Sequence, residues 1–238
     1  MPDAPARLLI HGASGRMGQA LLRLCAGRDD CLPVAAVSRT VDQRVIDGVP
    51  QFATTELHGV PAFDVAIDFS LPEGLGAILA LCLERGAGFV SGTTGLAQAQ
   101  QDALDAAAER IAVLSAANFS LGVAVLDELV ERAAGALHGW DCDIVEAHHV
   151  HKQDAPSGTA LVLGASAQRG GAEARYASLR AGDIVGEHTV QFSGIGERIE
   201  LIHRASDRDI FARGALAAAI RLHGRPAGRY RLRDLLFA

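Results

Sequence analysis

The sequence predicts an α/β protein with a doubly wound parallel sheet, into which a second, α+β domain is inserted. In the first half of the 238 residues, short apolar runs of strand length alternate with amphipathic segments of helical length. This alternation is typical of parallel sheets joined by crossover helices. After residue 118 a long amphipathic helix and strands of alternating polarity follow, a pattern typical of antiparallel strands with one exposed face.

Each element of the first domain is bounded by its apolar residues and by the turns beside them. Pro72, shortly after Ser70, suits the first position of a helix, and Gly86 suits the left-handed residue that ends the same helix. We expect parallel strands at residues 8–11, 34–37, 64–69, 89–91 and 111–115, with helices at residues 16–26, 72–85 and 97–110.

The inserted domain is expected over residues 120–208, while residues 1–119 and 209–238 form the first domain. A helix is predicted at residues 121–137, and strands at residues 189–192 and 199–203 alternate with period two. The inserted domain should therefore carry an open, mainly antiparallel sheet. The return to the first domain is predicted as a helix from about residue 208 to 222 and a short one near residues 232–237.

Composition excludes several classes of protein. Hydrophobic residues make up 49% of the chain and charged residues 21%, which is typical of soluble globular proteins. The formal net charge of -6 argues against a nucleic-acid partner, and the longest apolar stretch without charge, residues 74–83, is too short for a membrane span. The 4 cysteines form no CxxC motif, so we expect a reduced, cytoplasmic setting.

Three glycines lie between the first predicted strand and the first predicted helix. Gly12, Gly15 and Gly18 belong to the segment GASGRMG. Glycines there let backbone N–H groups and the positive end of the helix dipole approach a diphosphate. The context predicts a Rossmann-type dinucleotide site, and the alternative is a plain tight turn between strand and helix.

The end of the second strand bears on the choice of cofactor. Sites for NAD commonly have an acidic residue there, which binds the adenosine ribose, but this chain has Ser38 and Arg39. Without a carboxylate nothing repels a 2′-phosphate, and Arg39 could bind one. The pair favours NADPH and leaves NADH open, and a solvated loop arginine is the alternative interpretation.

Two further turns follow later strands of the same sheet. Their sequences are SGTTG at residues 91–95 and AANFS at residues 116–120. The carboxyl ends of parallel strands share one edge of a sheet, so small residues there can approach a nicotinamide ring, and hydroxyl or amide groups can bind it. Each turn by itself is only a polar loop.

The densest cluster of titratable side chains is the segment EAHHVHKQDAPSGT at residues 146–159. It contains His148, His149, His151 and Lys152, which is the only lysine among 22 basic residues. Imidazole exchanges a proton near neutral pH, and an ammonium group can hold or polarise an anion, so the segment could bind an anionic substrate. A metal site and an exposed polar loop are the alternatives, and the histidines lack accompanying ligands at convincing spacing.

Motifs along almost the whole chain resemble the dihydrodipicolinate reductase family, whose members are 4-hydroxy-tetrahydrodipicolinate reductases. The resemblance implies NAD(P)H-dependent reduction of 4-hydroxy-tetrahydrodipicolinate to tetrahydrodipicolinate with loss of water, in diaminopimelate and lysine biosynthesis. The histidine-rich motif is the most specific of the set. In chain order the motifs are GASGRMG, IDFSLPEG, SGTTGL, AANFSLGV, EAHHVHKQDAPSGTA, AGDIVGEHTV and GERIELIHRASDR.

The resemblance also implies roles for individual residues. It implies that His148 is the catalytic proton donor or acceptor and that Lys152 is a second proton donor. It implies that His149, Gly158 and Thr159 hold the carboxylates of a dicarboxylate substrate, and it implies no metal. The cofactor contacts that it implies are Gly12, Ala13, Ser14, Gly15, Arg16, Met17, Arg39 at the adenosine 2′ position, Gly92, Thr93, Thr94, Ala116, Ala117, Asn118 and Phe119.

Members of the resembling family form homotetramers through the sheet of the second domain, and the resemblance implies the same here. Two features depart from the family pattern. Ser38 stands where an acidic residue is often found, and only residues 170–174 occupy a connection in which longer members carry an insertion.

Two hypotheses of other classes remain open at the level of the sequence. One is a catalytically silent nucleotide-binding protein, against which the intact His148 and Lys152 argue. The other is a metallohydrolase that uses His148, His149 and His151.

Overall fold

The computed structural model describes residues 4–237, and the chain divides into two compact units. Met1–Phe119 and Phe211–Ala238 form the first unit, and Ser120–Ile210 form the second. The chain therefore leaves the first unit once and later returns to it.

The first unit is built around one large sheet. Its strands are β1 (Ala6–His11), β2 (Cys31–Ser38), β3 (Val45–Ile46), β4 (Val49–Ala53), β5 (Val65–Asp68), β6 (Gly88–Ser91), β7 (Ala112–Ser115) and, after the second unit, β12 (Gly228–Tyr230). Their order is β12-β7-β6-β5-β1-β2-β4-β3. Neighbours are parallel except at the edge, where β3 is antiparallel to β4.

Helices cover this sheet. Leu9, Ala66 and Phe89 pack in one buried cluster with the helices that follow β5 and β6. Leu8 and Ile10 point to the other face of the sheet and are equally buried. Both faces are therefore covered, as continuous apolar strands require. The helices are α1 (Arg16–Cys25), a 3-10 helix (Thr54–Gly59), α2 (Pro72–Arg85), α3 (Gln98–Ala108), α6 (Asp209–Leu222) and α7 (Leu232–Leu236).

Strand β1 marks the point at which the strand order reverses. The chain proceeds from β1 to β2 and β4 on one side and then to β5, β6 and β7 on the other. In open sheets of this kind a crevice forms beyond the carboxyl ends of the strands at the reversal. The predicted doubly wound parallel sheet is confirmed.

Boundaries agree closely where the sequence signals are strong. Helix α2 has the predicted bounds, and Gly86 ends it with a φ of +64°. The β3–β4 hairpin and β12 were not predicted, because Pro50 and Gln51 interrupt β4 and β12 is only the segment Gly-Arg-Tyr. Neither carries the apolar run by which a buried strand is recognised.

The second unit has a four-stranded sheet covered by two helices. Its elements are α4 (Leu121–Ala136), β8 (Asp141–His148), α5 (Gly158–Arg169), β9 (Ala174–Arg180), β10 (Gly186–Gly194) and β11 (Glu197–Ala205). The order is β11-β10-β8-β9, in which only β8 and β9 are parallel. The predicted, mainly antiparallel sheet is confirmed.

The two faces of this sheet differ in burial. On one face Ile144 and Phe192 pack with Val130 of α4 and Leu163 of α5 in a buried cluster. Strand β9 is largely exposed along its length.

Within residues 4–237, no helix combines the length and apolar character needed to cross a membrane.

Candidate active site

A cleft of about 280 Å³ lies in the first unit beside the loops that follow β1, β5 and β6. The lining therefore comes from three loops at the switch point of the sheet. Of the cofactor contacts that the resemblance implies, Gly15, Arg16, Met17, Gly92, Thr93 and Thr94 line this cleft. The other lining residues, for which no cofactor contact was predicted, are Phe69, Ser70, Leu71 and Pro72.

The glycine turn leaves no room for side chains at two of its positions. Gly12 has a φ of +78°, and a Cβ there would lie 2.4 Å from the carbonyl oxygen of Phe69. A Cβ on Gly18 would lie 2.3 Å from the carbonyl oxygen of Gly12. Glycine is therefore required at both positions to bring strand, turn and helix together.

The start of α1 is suited to an anion. Gly15 is its N-cap, and among the described residues no side chain caps this helix by a hydrogen bond. Arg16 and Met17, which form the first turn, line the cleft. The N–H groups of that turn and the positive end of the helix dipole are therefore available to a diphosphate, and the turn fits a dinucleotide.

Ser38 braces the turn from the end of β2. Its hydroxyl accepts a hydrogen bond from the backbone N–H of Ser14 at 3.0 Å, and the residue is buried. Gly12 and Ala13 both donate from their backbone nitrogens to the carbonyl of Val37. Arg39, the next residue after Ser38, is exposed.

Residues 116–119 are not among the described residues that line the cleft, but Ala116 and Phe119 contact residues in or beside its wall. The backbone nitrogen of Ala116 donates to the carbonyl of Ser91 at 3.0 Å. The ring of Phe119 lies 5.5 Å from the ring of Phe69, which lines the cleft. Ala117 is exposed and Asn118 is half-buried.

A buried carboxylate organises the histidine-rich segment of the second unit. Glu146, on β8, accepts hydrogen bonds at Oε2 from Nδ1 of His148 at 2.5 Å and from Arg180 at 2.9 Å. Its Oε1 accepts from Arg180 at 2.8 Å and from the backbone of Ser157 at 3.2 Å. Burial acts to raise the pKa of this carboxyl, but hydrogen bonds from Arg180, Ser178 and His148 prevail and lower the pKa to about 2.

The anion sets the direction of the His148 ring. A carboxylate bound at Nδ1 places the proton of the neutral imidazole there and leaves Nε2 for exchange with a bound molecule. A Cβ on Gly186 would lie 3.1 Å from Nε2 of His148. Glycine at position 186 therefore keeps a side chain away from the nitrogen that would exchange the proton.

His188, on β10, supports the same segment. Its ring stands edge-on to the ring of His148, with centroids 5.2 Å apart. Its Nε2 shares a hydrogen bond with the hydroxyl of Ser157 at 3.1 Å, and that hydroxyl also accepts from the backbone of Ala160 as the N-cap of α5. Burial lowers the pKa of His188 to about 4, and repulsion by His148 adds to this effect. His188 is therefore neutral at pH 7.

Lys152 is paired with a neighbouring carboxylate. Its Nζ donates to Oδ1 of Asp154 at 2.7 Å. The hydrogen bond from Lys152 lowers the pKa of the Asp154 carboxyl, and the backbone of Gly158 contributes in the same direction. Asp154 thus binds the ammonium group and the helix start that could otherwise bind a carboxylate of a substrate.

The other residues implied to hold substrate lie on either side of this pair. His149 is half-buried, and its ring lies 6.2 Å from the ring of the exposed His151. Gly158 is exposed at the first position of α5, and Thr159 beside it is half-buried. Backbone N–H groups at the start of a helix of this length suit a carboxylate.

No role was predicted for Glu146, Arg180 or His188. Glu146 and His148 are two residues apart on one strand and so share a face, which was a usable signal. Arg180 and His188 reach this site because β9 and β10 flank β8. That pairing joins residues more than 30 positions apart and could not be deduced from the sequence pattern alone.

The alternative of a metal site gains no support from the geometry. Among residues 4–237 there is no group of three or more His, Cys, Asp or Glu side chains placed to hold a metal ion. Nδ1 of His148 is already bound to Glu146.

Family models match nearly the whole chain. The model for the N-terminus of dihydrodipicolinate reductase matches residues 6–119, and the model for its C-terminus matches residues 122–236. Proteins named 4-hydroxy-tetrahydrodipicolinate reductase from Stenotrophomonas maltophilia (strain K279a) and Xanthomonas axonopodis pv. citri (strain 306) are 71% and 68% identical to this chain. Both alignments cover 99% of this chain and 100% of the relative.

Solved structures share the fold. A dipicolinate-bound dihydrodipicolinate reductase from Paenisporosarcina sp. TG-14 has a TM-score of 0.81 at 21% identity, covering 97% of this chain and 99% of that chain. A C. glutamicum DAP dehydrogenase in complex with DAP has a TM-score of 0.64 at 14% identity, covering 97% and 94%. Family models, full-length relatives and fold agree with the sequence motifs, and the chain belongs to the dihydrodipicolinate reductase family.

Proposed function

We propose that this protein reduces 4-hydroxy-tetrahydrodipicolinate to tetrahydrodipicolinate with NAD(P)H and with loss of water, as a step of diaminopimelate and lysine biosynthesis. The observation that carries the proposal is full-length identity of 68–71% to relatives named for this reaction. The reaction predicted from the motifs is confirmed at the level of the family, and the protein is an oxidoreductase.

The first unit is proposed to bind the dinucleotide, which supplies a hydride when bound. The close approach of backbone at Gly12 and Gly18 and the uncapped start of α1 support a diphosphate site at the turn. Thr93 and Thr94, on the loop after β6, line the same cleft and are proposed to border the nicotinamide end. The segment of residues 116–119 is proposed to complete that end.

We propose that NADPH is preferred to NADH. Ser38 presents a hydroxyl where many relatives of this fold have a carboxylate, and that hydroxyl is bound to Ser14. Arg39 is exposed beside it, so a 2′-phosphate would meet a guanidinium group and no nearby anion from position 38.

The second unit is proposed to hold the dicarboxylate and to deliver protons. Loss of the 4-hydroxyl as water leaves a conjugated ring. When hydride adds to it, the displaced electron pair must take up a proton, for which Nε2 of His148 is the proposed source. Glu146 at Nδ1 stabilises the imidazolium before the transfer. Lys152 is the proposed second donor.

The substrate carboxylates are proposed to bind at His149, Gly158 and Thr159. The start of α5 offers backbone N–H groups and the positive end of a helix dipole. Asp154 is bound to Lys152 and to the backbone of Gly158 in the free protein. A substrate carboxylate is proposed to replace it on these groups.

We also propose a cytoplasmic homotetramer that assembles through the outer face of the second sheet. Val145, Thr189 and Ile202 lie in one cross-strand row on that face, and Leu179 lies in the next row. The exposed fractions of Val145, Leu179 and Ile202 are 38%, 57% and 43%, and apolar surface of this kind favours association. All four cysteines are free thiols, which supports a reducing compartment.

The reaction is tested with purified protein, NADPH and the freshly formed condensation product of pyruvate and aspartate semialdehyde. We expect the near-ultraviolet absorbance of the reduced nicotinamide to fall only when the protein and the condensation product are both present. In His148→Gln the turnover should fall by about a hundredfold or more while NADPH affinity is retained. NADPH binding without turnover in the wild-type protein would instead favour the silent nucleotide-binding alternative.

A further inference from the structure

Three neighbouring strands of the first unit end in polar side chains that are bonded to one another. β1 ends at His11, β5 at Asp68 and β6 at Ser91, and strand pairing places His11 beside Asp68 and Asp68 beside Ser91. Their exposed fractions are 3%, 0% and 0%. Burying such groups in the middle of a sheet costs desolvation free energy, so the row is expected to have a specific role.

Asp68 is the centre of this row. Its Oδ1 accepts from Nδ1 of His11 at 2.8 Å and from the backbone N–H of Ser70 at 3.2 Å. Its Oδ2 accepts from the hydroxyls of Ser91 at 3.0 Å and Thr93 at 2.8 Å. Burial acts to raise the pKa of this carboxyl, but the hydrogen bonds, that from His11 foremost, hold the pKa below its ordinary value. Asp68 is thus a buried carboxylate with four donors.

Two of these donors belong to walls of the cleft. Ser70 is in the loop after β5 and Thr93 is in the loop after β6, and both line the cleft. Asp68 binds the backbone of one loop and a side chain of the other. The separation of the two loops is therefore fixed by a group that is not itself among the described lining residues.

His11 connects the third wall to the same carboxylate. It immediately precedes Gly12, the first residue of the glycine turn. A Cβ on Gly74, in the first turn of α2, would lie 2.9 Å from Cε1 of His11. The His11 ring therefore lies between the end of β1 and the start of α2, and its bond to Asp68 fixes the strand end from which the glycine turn departs.

We propose that His11 and Asp68 are positioning residues for the dinucleotide. They hold the loops after β1, β5 and β6 at the spacing that the cofactor requires, and they raise its affinity without touching it. The inference rests on the proposed dinucleotide site. A purely structural role would require these residues for stability and leave the affinity of the folded protein unchanged.

The first test compares two substitutions at position 11 that have similar size and differ in the donor. His11→Asn keeps an N–H group near the position of Nδ1, and His11→Leu does not. We expect the dissociation constant of NADPH, measured by fluorescence titration, to stay within about twofold of wild type in His11→Asn and to rise about tenfold in His11→Leu, the effect of one lost bond to a charged group.

The second test uses a matched control on the same two strands. Asp64, just before β5, binds Arg7 of β1 by its backbone and its guanidinium group, at the opposite ends of these strands. We expect Asp68→Asn to weaken NADPH binding about tenfold, with kcat at saturating NADPH and KM for the substrate within about twofold. Asp64→Asn should lower the melting temperature and leave the dissociation constant unchanged.

A third test concerns the hydroxyl of Thr93. Thr93→Ser keeps the hydroxyl that binds Asp68 and should keep the affinity for NADPH. Thr93→Val removes the hydroxyl and should weaken NADPH binding. If the hydroxyl acts through Asp68, adding Thr93→Val to Asp68→Asn should weaken binding no further than Asp68→Asn alone, because the carboxylate that the hydroxyl binds is already absent.

Full additivity in that double variant would show that Thr93 acts on the cofactor directly and would contradict the proposed coupling. Unchanged dissociation constants in His11→Leu and Asp68→Asn, with only a lower melting temperature, would overturn the inference. Absence of NADPH binding by the wild-type protein would instead overturn the proposed function itself.

Discussion

Glu146 and His148 form the pair on which the proposed proton transfer depends. The carboxylate is fully buried and receives hydrogen bonds on both oxygens, two of them from Arg180. A buried charge is stable only with partners of this kind. The bond to Glu146 fixes which ring nitrogen of His148 faces the carboxylate. The ring therefore needs no reorientation before Nε2 donates a proton.

Replacing Glu146 by Gln should reduce kcat by about 10- to 100-fold, the usual effect of removing the group that orients a functional histidine. Substrate KM should change little, because the Glu146 side chain is fully buried and is not among the groups proposed to hold the substrate. Steady-state kinetics at several pH values measure both. Glu128→Gln, which breaks the pair with the exposed Arg132 on α4, is the control and should leave kcat unchanged. An unchanged kcat in Glu146→Gln would contradict the proposed role of the pair.

Lys152→Arg should keep the fold and lose most activity. A planar guanidinium, whose pKa is well above that of an ammonium group, cannot readily donate a proton and does not match a site built for a compact ammonium. We expect kcat/KM to fall by at least about tenfold. Arg132→Lys, a charge-preserving exchange at an exposed position of α4, should leave kcat/KM at the wild-type value. Full activity in Lys152→Arg would mean that only positive charge is needed.

His188 predicts how stability depends on pH. Its pKa is lowered by burial from the ordinary value of 6.5 to about 4. The unfolded chain therefore binds a proton that the folded chain refuses, so the contribution of His188 is complete above pH 6.5 and is lost as the pH falls from 6.5 to about 4. Urea unfolding at pH 7 and pH 5 should show this loss. His188→Asn should show a smaller loss, and an equal loss would exclude His188 as its source.

At the scale of elements, the glycine turn and α1 act as one unit. The Cβ that alanine would add at Gly18 would lie 2.3 Å from the carbonyl oxygen of Gly12, and neither backbone can yield without moving the turn. The close contact of helix and turn is thus a condition for placing the first-turn N–H groups at the cleft.

Gly18→Ala should therefore destabilise the protein by about 1–3 kcal/mol and abolish NADPH binding. Gly76→Ala is the matched control, because this helical glycine of α2 has open space around its Cβ position. It should stabilise the protein by up to about 1 kcal/mol, since alanine favours helix, with unchanged NADPH affinity. Thermal unfolding and fluorescence titration measure both effects. Unaltered NADPH binding in Gly18→Ala would contradict the proposed diphosphate site.

Some elements of the fold could be predicted from the sequence and others could not. Helix α2 was predictable because Pro72 and Gly86 mark its ends and its apolar residues are periodic. The parallel pairing of β8 with β9 was not, because β9 is exposed and lacks an apolar pattern. That pairing brings Arg180 to Glu146, so this contact could not be predicted from local sequence patterns. The row of His11, Asp68 and Ser91 was hidden for the same reason, since each ends a different strand.

At the scale of the whole molecule, the outer face of the second sheet bears on assembly. Ile202 lies in the same cross-strand row as Val145 and Thr189. Its side chain is exposed. The proposed tetramer would cover it.

Ile202→Glu should convert the proposed tetramer to smaller species in light scattering, because four like charges would be brought to one apolar interface. Leu32→Glu, at an exposed apolar position of β2 in the first unit, is the control and should leave the molar mass unchanged. A wild-type protein that is monomeric at every concentration would contradict the proposed assembly.

Transfer of a hydride from NAD(P)H to the dicarboxylate ring is the step on which the proposed function depends. It is tested most directly by mass spectrometry of the product formed from cofactor carrying deuterium at the transferring position of nicotinamide C4. We expect tetrahydrodipicolinate to gain one deuterium with the wild-type protein and His148→Gln to form it far more slowly. Oxidation of the cofactor without deuterium in the product would contradict the proposed hydride transfer.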